Sequence, residues 1–196
     1  INPFAVSLSG TRSYDGTTAV GAGVLTLGSL VGSETLALSG SGSVANKHVG
    51  SGKAVDVSGL SLVGDGTGGA GLASNYSFTG GTQTVDVTQA SLSVRSTDVT
   101  KTYNGNLAAA GSAVVAAGGT QLFDTDSLSG GTFAFTDANA GTGNKVVTSS
   151  GVTVNDGNGG NNYAVSYVDN TTSTINKAAI TVSTSDVVRT YDGTLN

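Results

Sequence analysis

The chain repeats itself, and that limits its possible folds more than any other feature. Arg12-Ser13-Tyr14-Asp15-Gly16, Lys101-Thr102-Tyr103-Asn104-Gly105 and Arg189-Thr190-Tyr191-Asp192-Gly193 share one pattern, a basic residue, a spacer, Tyr, Asp or Asn, then Gly. The tyrosines lie 89 and 88 positions apart. Further markers recur between them in the same order. Leu30-Val31-Gly32-Ser33-Glu34 matches Leu122-Phe123-Asp124-Thr125-Asp126. Val49-Gly50-Ser51-Gly52 matches Ala140-Gly141-Thr142-Gly143, and Asn75-Tyr76-Ser77-Phe78 matches Asn162-Tyr163-Ala164-Val165. Ordered matches at one period identify a repeat architecture. The expected division is repeat 1 over 1–90, repeat 2 over 91–178 and the opening of a third over 179–196. With no specialised cap at either end, the chain reads as a section of a longer array.

Within each repeat the apolar pattern alternates, as half-buried strands require. Val85 and Val87 alternate with polar residues, as do Leu92 and Val94. Phe133 and Phe135 flank Ala134; Tyr163, Val165 and Tyr167 alternate, and so do Ile180 and Val182. Their polar neighbours are mostly Ser and Thr, which suit an exposed pleated face. Gly, Ser and Thr make up 83 of the 196 residues, and only 11% are charged. Such a composition lacks the Glu, Lys, Arg and Leu that cover helix faces. Asp-Gly, Asn-Gly and Gly-Gly steps between the runs supply tight turns. Leu107 to Ala117 is Ala-rich and the Leu30 marker suits a single turn, but neither has a sustained helical period. The expected fold is all-β, built of small sandwich-like or β-grasp-like units. Only Gln89-Ala90 or Lys177-Ala178 separates the last strand of one repeat from the first of the next, with no flexible linker. The expectation is a stiff rod in which each repeat adds roughly 30 to 40 Å.

Several function classes are excluded. The net charge of -5 removes the electrostatic footprint of a nucleic-acid binder. No run of about 18 apolar residues exists to span a membrane as a helix, and no signal-peptide pattern opens this segment. One histidine and no cysteine make a zinc or thiol site an unpromising expectation. His48 stands without a cluster, and its aligned position in repeat 2 is Asn139. Gly50-Ser51-Gly52-Lys53 lacks the spacing of a phosphate loop and reads as a β-turn. No Ser/His/Asp set or close carboxylate pair repeats, so no catalysis and no cofactor are expected.

Three places have oxygen donors suited to calcium: Gly64-Asp65-Gly66-Thr67-Gly68-Gly69, the loop Asn155 to Gly160 around Asp156, and the pair Asp124 and Asp126. Each loop has one carboxylate, and the pair is matched in repeat 1 by Gly32 and Glu34, so a flexible hairpin loop is the plainer reading. Tyr14, Tyr103 and Tyr191 could form a ladder of sugar platforms. The structural alternative has each ring in the core with its hydroxyl on backbone, and Arg12, Lys101 and Arg189 on the rim against a carboxylate. Tyr76, Tyr163 and Tyr167 are the exposed platforms that a carbohydrate-binding module would need.

Taken together, Tyr14-Asp15-Gly16, Gly50 with its flanking residues, Asn75-Tyr76 and the strand Gln83 to Val87 resemble the YDG-type and related MBG-type repeats of very large bacterial adhesins. In repeat 2 the likeness rests on Tyr103-Asn104-Gly105, Ala140 to Gly143 around Gly141, and Asn162-Tyr163; Tyr191-Asp192-Gly193 opens the third. Repeat 2 departs from the pattern with Asn104 for Asp and with Asn144 inserted before Lys145. The resemblance implies a stalk segment of a filamentous-haemagglutinin-like exoprotein, exported by two-partner secretion to the outer cell surface. Its partners would be adjacent repeats of the same chain and, through other regions, matrix polysaccharide or a surface ligand. A cysteine-free chain suits export in an unfolded state.

Overall fold

The computed structural model describes residues 1–64, 71–118 and 121–193. It is almost entirely β. The first repeat contains β1 (Phe4–Ala5), β2 (Leu8–Ser13), β3 (Ala19–Gly21), β4 (Leu25–Leu27), β5 (Leu36–Val44), β6 (Gly50–Asp56), β7 (Leu60–Gly64), β8 (Tyr76–Ser77) and β9 (Thr84–Thr88). The second contains β10 (Ala90–Ser96), β11 (Thr100–Thr102), β12 (Ala113–Val115), β13 (Ser127–Phe135), β14 (Gly141–Asn155), β15 (Tyr163–Tyr167) and β16 (Asn170–Asn176). Single turns of 3-10 helix at Ala22–Val24 and Ala73–Asn75 interrupt the strands. The Ala-rich stretch after Leu107 contributes β12.

In each repeat the opening strands pair in parallel with the closing ones. Phe4 lies opposite Tyr76 and Arg12 opposite Val87. Ala90 lies opposite Tyr163 and Lys101 opposite Ile175. Parallel neighbours need a long crossover, and here the crossover is the body of the repeat, filled with antiparallel pairs such as β5 with β7 and β13 with β14. Among the described residues, every strand pairing stays within residues 4–88 or within 90–176.

The core is divided in the same way. Leu8, Val20, Leu25, Val44, Val55, Leu60 and Val85 form one cluster in the first repeat, and Val6, Leu36 and Tyr76 another. Val99, Phe135, Val147 and Ile175 form a cluster in the second. Burying each such side chain contributes about 1.5–3 kcal/mol. A fourth cluster joins Tyr14 and Val87 of the first repeat to Ala90, Leu92, Val94, Val154 and Tyr163 of the second.

Two expectations are corrected. Ile180 and Val182 form no strand and are 84% and 86% exposed. Their counterparts Leu92 and Val94 are fully buried on β10 between β12 and β15. The alternation is the same, but a strand also needs partners for its backbone donors and acceptors. The second correction concerns Gly50-Ser51-Gly52-Lys53, which is part of β6 and not a turn. The register with β9 shifts between Gly50 and Lys53, and Gly52 sits at φ +60° as the bulge residue. The Gly52 N–H donates to the Asp86 carboxylate at 2.6 Å, so this donor points at a carboxylate and not at a phosphate.

Candidate functional site

The site is the joint between the repeats. Its centre is the turn Leu122–Asp126, closed by the Asp126 N–H donating to the Phe123 carbonyl at 3.0 Å. The third position of that turn needs a left-handed backbone. Gly32 adopts φ +60° there in repeat 1, and Asp124 adopts φ +53° in repeat 2, where no other non-glycine described residue has a positive φ. Asp tolerates this conformation better than most side chains.

Tyr163 stands over the turn. Its hydroxyl accepts from the Phe123 N–H at 2.9 Å and donates to Asp126 Oδ2 at 2.6 Å. The same device closes the first repeat, where the Tyr76 hydroxyl accepts from the Val31 N–H at 3.1 Å and donates to Glu34. Thus Glu34 and Asp126 play one role in two repeats. At Asp126 a second phenol arrives from the neighbouring repeat, with Tyr14 Oη donating to Oδ2 at 2.9 Å. Tyr14, Phe123 and Tyr163 form an aromatic trio. The Tyr14 ring meets the other two edge-on at 6.0 and 5.3 Å, and Phe123 stacks on Tyr163 at 6.4 Å.

A cation completes the contact. Lys47 Nζ lies 2.8 Å from Asp124, 3.7 Å from Asp126 and 5.9 Å from the Tyr14 ring centroid. Beside it, Asn162 Oδ1 accepts from the Val49 N–H at 3.1 Å, and Asn162 Nδ2 lies 3.1 Å from His48 Nδ1. Asn162 is completely buried. The hydrogen bond to Asp124 pushes the Lys47 ammonium up, and the same contact holds Asp124 below the usual carboxylate value. Burial and then the bond to Asp126 push the Tyr14 and Tyr163 hydroxyls up.

The expected roles change accordingly. The Tyr14 ring is in a core, as the structural alternative has it, but the hydroxyl binds a carboxylate of the next repeat and not backbone. Tyr103 and Tyr191 are 45% and 90% exposed, so neither anchors a core. Arg12 pairs with Asp15 at 2.5 Å and Arg189 with Asp192 at 2.6 Å; Lys101 reaches Asn104 at 3.2 Å. Gly16, Gly105 and Gly193 all take positive φ in this turn. Gly50 opens β6 and Gly141 opens β14. Tyr76 and Tyr163 are 6% and 3% exposed, which removes them as sugar platforms; Tyr167 is 42% exposed.

The calcium candidates have other partners. Asp124 and Asp126 hold Lys47. Asp156 accepts the N–H groups of Asn158, Gly160 and Asn162 at 2.7 to 2.9 Å and is buried. Burial pushes its carboxyl up, and those three donors outweigh this and hold it below its ordinary value. Asp65 to Gly69 lie outside the described residues. Among the described residues no group of three or more His, Cys, Asp or Glu could hold a metal ion.

Reading the sequence residue by residue misses Lys47, His48, Phe123 and Asn162. The signal was available in part, because Glu34 with Tyr76 and Asp126 with Tyr163 recur together.

Comparison with known proteins gives one match. The family model described as YDG domain matches residues 2–85 and again 88–174. No curated protein and no solved structure matches the chain. With that match spanning nearly all of it, the chain belongs to the YDG domain family.

Proposed function

We propose that this chain is a structural spacer, a stalk segment of a large secreted or surface-attached bacterial adhesin of the filamentous-haemagglutinin type. It carries no catalysis; its work is to hold a binding tip away from the outer cell surface or to link cells in a biofilm. The observation that supports this reading is where the recurrent side chains go. Tyr14, Asp126 and Tyr163, with Lys47 and Asn162, are spent on fixing one repeat to the next. A joint held by side chains from both repeats, without a linker, suits transmission of length. Small-angle scattering of the fragment tests this. The reading expects an elongated distance distribution reaching roughly 60 to 80 Å, two repeats end to end. A compact single-globule distribution overturns it.

Carbohydrate binding through exposed tyrosines, a second reading, is confined by burial to Tyr103, Tyr167 and Tyr191. A glycan array probed with the full chain and with Tyr167→Ala tests it: binding lost in the variant supports it, and no binding by the full chain rejects it.

A further inference from the structure

The sequence holds two Asn-Gly steps, Asn104-Gly105 and Asn158-Gly159. Such a step can cyclise, because glycine has no Cβ to hinder attack by its backbone nitrogen on the preceding side-chain amide. The fold treats the two steps differently. Asn158 is tied down. Its Nδ2, the group that would leave, donates to Oδ1 of the fully buried Asn162 at 3.0 Å. Its backbone N–H donates to Asp156 at 2.7 Å, and its carbonyl accepts from Asn161 Nδ2 at 2.6 Å.

Asn104 is open. Asn104, Gly105 and Asn106 are all exposed, and among the described residues the Gly105 N–H has no acceptor. Asn104 Oδ1 accepts from the Asn106 N–H at 3.3 Å, an Asx turn that folds the side chain back over the Asn104–Gly105 peptide. The same oxygen faces Lys101 Nζ at 3.2 Å. This openness does not depend on the turn being uncovered. At the joint, where a neighbouring repeat packs against the equivalent turn, the Asp15 side chain is still 46% exposed. The Gly16 N–H likewise has no acceptor among the described residues.

We propose that Asn104 is a site of self-modification, at which the Gly105 nitrogen attacks Asn104 Cγ, ammonia leaves, and the turn acquires a carboxylate. The Gly105 nitrogen gives up its proton to base as the new C–N bond forms. The bond from Cγ to Nδ2 breaks, and Nδ2 departs with a proton from water. The cyclic imide then takes up one water and opens to Asp or isoaspartate. Negative charge builds on Oδ1 during the attack, where the Lys101 ammonium and the Asn106 N–H are already directed. The opening that yields Asp makes this turn Tyr-Asp-Gly, like its two counterparts. There Asp15 pairs with Arg12 and Asp192 with Arg189, and Lys101 stands where those arginines do. The change adds one negative charge to the net -5. It rests on the geometry of the turn, independently of the spacer reading.

Incubation of the full chain in warm, mildly alkaline buffer, followed by peptide mapping with electron-transfer fragmentation, tests this. In the folded chain the peptide carrying position 104 should gain one mass unit, with matching release of ammonia, while position 158 stays asparagine. In strong urea both positions should convert, because both steps are then free of the fold. Lys101→Gln should slow conversion at 104 several-fold and Lys101→Arg should restore it, with unfolding midpoints checking that both variants fold. Asn104 left intact in the folded chain while it converts in urea overturns the proposal. So does conversion at 158 as fast as at 104 in the folded chain. A Lys101→Gln rate equal to that of the parent overturns the part given to the ammonium.

Discussion

At the scale of single residues, glycine is required for two different reasons in the same turn. Gly16 and Gly105 share φ +78°, where a Cβ costs about 1–2 kcal/mol. Only Gly16 also faces another repeat, with the Phe123 Cβ in the way. Gly16→Ala should therefore lower the denaturant midpoint clearly more than Gly105→Ala; equal losses would mean that the joint is not packed as described. The Tyr-Asp-Gly turn itself is legible from sequence, because Gly after Asp or Asn marks a positive φ. The destination of the Tyr14 hydroxyl is not. Its acceptor lies 112 residues away, and nothing local distinguishes a ring that meets a neighbour from one like Tyr103 that meets solvent. Asp124 shows the converse case. It sits where Gly32 shows that a left-handed residue belongs, and its carboxylate is usable only because Lys47 is opposite.

At the scale of elements, strands β9, β10, β13 and β15 can be read from alternation alone. The parallel pairing of opening and closing strands cannot, since partners lie more than seventy positions apart and either direction satisfies the pattern. Nor can β14, whose burial pattern is broken by Gly141, Gly143 and Gly151. The segment after Lys177 carries the alternation of β10 without its neighbours. Trypsin should cut after Lys177 and Arg189 before any other site, as peptide mapping over time can show; protection of these bonds would mean the segment is paired after all. The Leu122–Asp126 turn gives the joint a pH window. Asp124 is held below its ordinary 3.8 by Lys47, so its contribution is present above that value and is lost as pH falls through the depressed one. Tyr14 and Tyr163 are raised above their ordinary 10.0 by burial and by Asp126. Their neutral forms favour the closed joint below that value, and the contribution is lost as pH rises through the raised ones. Tyrosine fluorescence anisotropy and unfolding midpoints should hold between about pH 4 and pH 10 and fall outside. A midpoint flat across both limits would contradict the assignment.

At the scale of the whole molecule, the repeats keep separate strand pairings and largely separate cores but share one cluster and one polar clasp. The composition, poor in charge and rich in Ser, Thr and Gly, foretells the β architecture. It says nothing of the clasp, whose parts are ordinary residues made useful by position. The central claim is that this clasp fixes the angle between repeats. The absence of cysteine makes the measurement clean. Spin labels on Ser61→Cys and Ser150→Cys, both exposed and one in each repeat, report the distance between repeats by pulsed electron resonance. The account predicts one narrow distribution in the parent and a broad one when Tyr14→Ala is added. A broad distribution in the parent, or a narrow one that ignores the loss of Tyr14, would contradict it.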